Sequence, residues 1–244
     1  MIPSTEQILA IDQELLDSIR LIRSGFGQLQ QLDGANDFYH MPLLTLSSGF
    51  ERYLKVTLCF RHVEVYGYFP NIQSFPTGRK GHDLEFLLER VLSDCFLPDY
   101  LTSIPVAKID YMYLKSEQLR SFIGVLGRFG QAARYYNLDV VLGRTPNTKP
   151  PEREWESLES GIFTSRPELL KDLAQNPGSN KVFTEISTEV VSRLEHLARA
   201  VARLYTIGKI GELAKRYTSY IRGFLFLDDE DLGKNVYSPF GSSV

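Results

Sequence analysis

Residues 42–65, PLLTLSSGFERYLKVTLCFRHVEV, limit what this chain can fold into more than any other stretch. Leu43, Leu46, Phe50, Leu54 and Leu58 recur at steps of three or four, the period of one helix face. Leu44, Tyr53, Val56 and Phe60 widen that stripe. A helix apolar over so much of its circumference must be enclosed by neighbours rather than rest on one. Ser47, Ser48 and Gly49 place small side chains in mid-helix, where a second helix can approach closely. Glycine there costs about 1 kcal/mol against alanine, which calls for a packing reason. Glu51 and Lys55 stand four apart in the favourable order for an ion pair.

The flanking segments repeat the helical pattern. Ile8, Ile11, Leu15, Ile19, Ile22 and Phe26 form the face of a first helix from Ser4 or Thr5 to about Leu32, with Thr5 as its expected cap. Residues 33–37 break it. A loop from Gly67 to Gly81, marked by Pro70, Pro76 and Gly78, precedes a third helix that His82 or Asp83 can cap. Residues 98–105 read as a connection, and 106–114 fit either a helix or an extended piece. A fourth helix is expected from Ser116 to Ala133, and Arg144 to Glu152 is the most loop-like stretch because adjacent prolines exclude helix. Short helices near Glu154–Glu159 and after Pro167 lead through a second breaker, 176–179, to a long helix with Val182, Ile186, Val190, Leu194, Leu197, Val201 and Leu204 inward. Glu189–Arg193 and Glu195–Arg199 are expected on its solvent side. A last helix spans Ile207 to Phe224, and the tail from Leu227 reads as loosely held.

The expected fold is therefore all-α: an up-and-down helical bundle over residues 1–143, with a C-terminal helical extension over 151–244 packed on it. A length of 244 residues suffices for one large domain. A net charge of −3 argues against broad nucleic-acid coating while leaving room for a local basic groove. Cys59 and Cys95 fall in apolar helical segments, as buried thiols of a reducing compartment do. With two cysteines and four histidines no zinc spacing can be assembled. No export signal and no membrane-length apolar run is seen, so a cytoplasmic protein is expected.

Phosphate-binding loops, dinucleotide turns and nucleophile elbows are absent from the sequence, and no cofactor is implied. Gly124, Gly127 and Gly130 read as close helix packing. The candidate binding residues are Glu51, Arg52, Lys55, His82, Arg134, Tyr135 and Tyr136. Arg134 beside two tyrosines joins a cation to aromatic faces, a combination that can hold a nucleotide. The alternative is a helix end whose rings finish the core and whose arginine meets the closing carbonyls.

A long helix, a central helix with GFERYLKVTL, a loop, GHDLEFLLERV, and a helix closing in ARYYNLD follow one another between Glu6 and Gly143. In that order they resemble the HEPN superfamily of prokaryotic helical domains. The resemblance implies a bundle that often dimerises. Many members are metal-independent ribonucleases of toxin–antitoxin and antiviral systems, and others are inactive binding partners. Active members pair an arginine with a histidine, four to six residues standing between the two. Here the three positions upstream of His40 are Asp33, Gly34 and Ala35, and those upstream of His62 are Lys55, Val56 and Thr57. Phe75, Pro76 and Thr77 precede His82, and Glu189, Val190 and Val191 precede His196. None is arginine, so no catalytic residue is assigned. The expectation is a homodimeric, non-catalytic or diverged binding protein with RNA or a protein as partner. Two alternatives stand beside it: a ribonuclease with a rearranged site built on His82, Arg52 and Arg134, and a structural dimerisation module.

Overall fold

A computed structural model describes residues 3–33, 38–145, 149–176 and 179–240, side chains 79 and 173 excepted. The breaks expected at 34–37, 146–148 and 177–178 lie outside the described residues, as do residues 241–244. The described chain is all-helical. Its helices are α1 (Thr5–Leu29), α2 (His40–Tyr66), α3 (Gly78–Gly81), α4 (Leu84–Cys95), α5 (Pro98–Ser103), α6 (Pro105–Leu114) and α7 (Glu117–Gln131). A 3-10 turn (Ala133–Tyr135) follows, then α8 (Tyr136–Val141), α9 (Pro151–Ser165), α10 (Pro167–Gln175), α11 (Lys181–Leu204), α12 (Glu212–Lys215) and α13 (Thr218–Leu225).

Helix α2 is the axis of the bundle, in contact with α1, α4, α7 and α12. Leu43, Leu46, Phe50, Leu54 and Leu58 are buried on it, as the period requires. Burying one such side chain stabilises the fold by about 1.5–3 kcal/mol relative to leaving it exposed. The small residues do what their size suggests. A Cβ on Gly49 would lie 2.9 Å from the main-chain nitrogen of Ile22, so α1 crosses α2 with its backbone against that glycine. On the other side Gly130 of α7 faces Ser47, whose Oγ occupies the space a Cβ at 130 would need.

Several local expectations are corrected, and two that stood open, the cap of α4 and the state of residues 106–114, are resolved. Ser4, not Thr5, caps α1: its Oγ accepts from the Gln7 N–H while the Gln7 side chain receives the Ser4 N–H, a reciprocal box. Asp83 caps α4 by accepting from the Phe86 N–H at 3.0 Å, which frees His82 for another partner. Residues 98–103 and 105–114 are both helical, each opening on proline at its first turn, where the missing N–H costs nothing. The same rule starts α9 at Pro151, so the proline pair ends the 144–152 loop inside a helix. The expected final helix begins only at Glu212, after Gly211 at φ 111°, and is divided at residues 216–217 into α12 and α13.

The largest correction concerns the C-terminal segment. Residues 227–240 form a strap held across α1 and α11. Gln30 donates to the Asn235 carbonyl at 2.6 Å and accepts from the Tyr237 N–H at 2.9 Å, while Ser24 donates to the Pro239 carbonyl at 2.6 Å. Gly27 gives the strap room, since a Cβ there would stand 2.5 Å from Pro239. Glu195 and Arg199, expected on the solvent side, are consequently buried. Glu195 accepts from the Gly233 N–H and the Tyr237 hydroxyl, and Arg199 donates to the Leu227 carbonyl at 2.8 Å. Residues on both sides of 143–151 share one contiguous core, including Leu54, Tyr53, Leu197 and Tyr205.

Candidate functional site

Three elements bring charged side chains together beside α2. Helix α2 itself presents Ser47, Ser48, Glu51, Arg52 and Lys55, residues spaced by three and four that share a face. Glu14 comes from α1, His82 from the turn before α4, and Gly130 and Arg134 from the end of α7 and the 3-10 turn after it. These residues, with Leu44, line one open cleft of about 380 Å³.

Within it the carboxylates and cations are matched unevenly. The Glu14 carboxylate receives both contacts, at 2.9 and 2.8 Å, from one terminal nitrogen of Arg52. Glu51, little exposed, accepts from Lys55 at 2.7 Å. The same carboxylate lies 3.0 and 3.1 Å from Nδ1 of His82. With its proton on Nδ1, the imidazole donates to Glu51 and keeps Nε2 as an acceptor. The Gln131 amide donates to the His82 carbonyl at 3.2 Å, tying this turn to the end of α7. Gly81 is required by the approach: a Cβ there would stand 2.6 Å from the Pro76 carbonyl oxygen and 3.7 Å from Lys55 Nζ.

Arg134 differs from its neighbours. Among the described residues no carboxylate pairs with it, and its Nε is buried without an acceptor. Its guanidinium lies 4.9 Å from the centre of the Tyr135 ring, a cation–π contact. The cleft thus holds three permanent cations against two carboxylates, and the cation in excess is the arginine with spare donors. Anions are the chemistry such a cleft accepts, and a planar guanidinium suits phosphate in particular.

Five of the seven sequence candidates, Glu51, Arg52, Lys55, His82 and Arg134, therefore meet in one place. Tyr135 and Tyr136 do not line the cleft. Tyr135 is 51% exposed and buttresses Arg134 from outside, and Tyr136 is half-buried, so neither ring finishes the core. Glu14 was not visible as a site residue, because its partner is Arg52, 38 positions away and on another helix. Ser47 and Gly130 were legible only as packing residues, and they serve that role while forming the cleft floor.

A larger cleft of about 650 Å³ runs between α7 and α9. Its arginines are already neutralised: Arg120 by Glu89 at 2.5 Å, Arg128 by Glu154 at 2.7 Å and Arg193 by Glu189 at 2.7 Å. Lys149 also lines it, beside the carboxylates of Glu85, Glu117 and Glu154. Among the described residues no group of three or more His, Cys, Asp or Glu is placed to hold a metal ion. Cys59 and Cys95 are unpaired thiols, and burial pushes the Cys59 pKa up to about 12. No described helix is long and apolar enough to cross a membrane. Comparison with protein-family models, with curated proteins and with solved structures finds no match for this chain.

Proposed function

We propose that this chain is a HEPN-like binding protein, of the type found in bacterial defence or toxin–antitoxin systems, whose α2 cleft takes the phosphate backbone of RNA without cutting it. The observation that carries the reading is the convergence of Arg52, Lys55, His82 and Arg134 on one solvent-open cleft, with Arg134 unmatched by any described carboxylate. The Arg134 guanidinium stacks on Tyr135 and pairs with no described carboxylate, which leaves its charge available to an anion. The reading includes a homodimer. The exposed apolar run Leu138, Val140, Val141 and Leu142 on and just after α8 supports a contact there. Light scattering should give twice the formula mass.

One feature favours a second reading, the ribonuclease with a rearranged site. Glu51 holds His82 by Nδ1 in the manner of a carboxylate orienting a general base, with Lys55 and Arg134 in the same cleft to meet a developing phosphorane. The two readings separate in one assay. Mixed-sequence RNA is incubated in chelator with the parent, Arg134→Ala and His82→Ala. Binding lost in Arg134→Ala with no cleavage by any form is the expected result. Cleavage by the parent that disappears in His82→Ala would replace binding with catalysis, since general acid–base groups contribute typically 10²–10⁴-fold. Neither binding nor cleavage would end both readings and leave a protein partner.

A further inference from the structure

The α2 face that forms the cleft continues toward the helix C-terminus. Lys55, Leu58, His62 and Tyr66 succeed one another at steps of three and four. Leu58, His62 and Tyr66, with Arg61, Pro76 and Arg90, line a second cleft of about 460 Å³. Its character is aromatic. The His62 ring lies 4.5 Å from that of Tyr66 and 5.4 Å from that of Tyr68, and the two tyrosines are 6.2 Å apart. Gly67, at φ 78°, closes α2 by donating to the Val63 carbonyl at 2.7 Å and turns the chain so that Tyr68 returns over His62. Both tyrosines remain open to solvent, Tyr66 at 58% and Tyr68 at 42%. Two large rings exposed side by side do nothing for the core.

Polar groups accompany them. His62 Nε2 is buried without a partner among the described residues. Burial lowers the pKa of that imidazole, so at neutral pH it is an uncharged ring beside the two tyrosines. Arg61 donates only to main-chain carbonyls, those of Asp94 at 2.8 Å and Lys209 at 3.0 Å. Its charge therefore has no contacting carboxylate among the described residues, whereas Arg90 is held by Asp94 at 2.8 Å. Pro76, which lines the second cleft, packs its carbonyl oxygen against Gly81, close to Lys55 of the first. From Lys55 to Tyr66 the helix rises about 16 Å, so a ligand that reaches both clefts must be a chain of several units rather than a single nucleotide.

We infer that His62, Tyr66 and Tyr68 form a base-stacking subsite joined to the phosphate cleft, and that the ligand is single-stranded RNA laid along α2. This rests on the reading of the cleft as an RNA site and adds what that reading lacks, namely a place for the bases. Exposed rings alternating with unneutralised cations are the means by which proteins hold single strands without reading sequence. A duplex hides its base faces and cannot use them.

The test measures fluorescence anisotropy of a labelled ten-nucleotide oligouridylate over a salt series, with inorganic polyphosphate as a ringless chain of charge. The variants are Tyr66→Ala, Tyr68→Ala, Tyr66→Phe and Arg134→Ala, each checked by thermal melting against the parent. Each alanine at 66 or 68 should weaken oligouridylate binding by about 5–150-fold while leaving polyphosphate binding and the salt slope unchanged. Tyr66→Phe should restore affinity, because the phenyl face still stacks. Arg134→Ala should weaken both ligands and reduce the salt slope by about one. Oligouridylate binding that depends on Arg134 and ignores both tyrosines would overturn the subsite and leave the cleft reading intact. Dependence on the tyrosines without dependence on Arg134 would do the reverse. Binding of polyphosphate but not oligouridylate, or of neither, would refute the subsite.

Discussion

The crossing of α1 over α2 makes the strongest quantitative demand, and Gly49→Ala tests it. An alanine in mid-helix gains about 1 kcal/mol over glycine by propensity alone. Here its methyl would lie 2.9 Å from the Ile22 main-chain nitrogen, 2.9 Å from Ile22 Cγ1 and 3.1 Å from Leu21 Cβ. Ordinary contact begins near 3.4 Å, so α1 must withdraw by about half an ångström. A side-chain tip could swing aside; a helix backbone that also carries the buried Leu15, Ile19 and Phe26 cannot. Overpacking a filled site costs about 1–3 kcal/mol, and a rigid neighbour puts this case at the upper end. Subtracting the propensity gain leaves a net loss of about 2 kcal/mol. Gly161→Ala is the matched control, since nothing lies within 4 Å of a Cβ there, in the interior of α9. It should gain up to about 1 kcal/mol. Urea melts followed by far-ultraviolet circular dichroism, with the slope m held constant, measure both. Gly49→Ala as stable as the parent, with Gly161→Ala raised as expected, would show that α1 does not press on α2 at this point.

Two further outcomes follow from burial. Leu54→Ala, at a fully buried position of α2, should cost about 2–5 kcal/mol in the same melts, and a loss under about 1 kcal/mol would place that face outside the core. Glu195→Gln should alter the pH dependence: burial raises the Glu195 pKa above the usual 4.5, so the folded state holds this proton more tightly than the unfolded chain. The parent should therefore gain stability relative to the glutamine variant as pH falls from neutral toward 4.5, by at most about 1.4 kcal/mol per pH unit, and lose that advantage as pH rises through the folded pKa. Parallel pH profiles of the two would mean that Glu195 is not buried beneath the strap.

What the chain discloses in advance divides by the range of the interaction. The interior of α2 was legible because periodicity is a local signal, and Leu43 through Leu58 satisfy it without reference to anything else. Glu195 and Arg199 were misplaced for the complementary reason. Four apart on a helix, they match the pattern of a solvent pair, and only the strap, more than 25 residues onward at Leu227 and Asp229, turns them inward. An acidic segment ending in glycine and serine reads as loose. It is held because Gln30, Ser24 and Glu195 offer side-chain partners to its main chain, a fit that composition does not encode.

The cleft illustrates the same division within one site. Helix spacing was enough to align Glu51, Arg52 and Lys55, but the meeting of His82 with Glu51 spans 31 positions and depends on which residue caps α4. Asp83 accepts from the Phe86 N–H, so the turn is fixed by aspartate and the preceding imidazole is left to reach α2. Had His82 been the cap, its ring would have been turned to the helix amides and Glu51 would face Lys55 alone. Arg134 depends on a second such choice. Gly130 sets its bare Cα against Ser47, and a larger residue at either position would lift the end of α7, with Arg134 four residues on, away from α2. Close helix packing and ligand chemistry are therefore one requirement here: the small residues that lower helix propensity in α2 and α7 are what bring an unpaired guanidinium within range of the α2 charges.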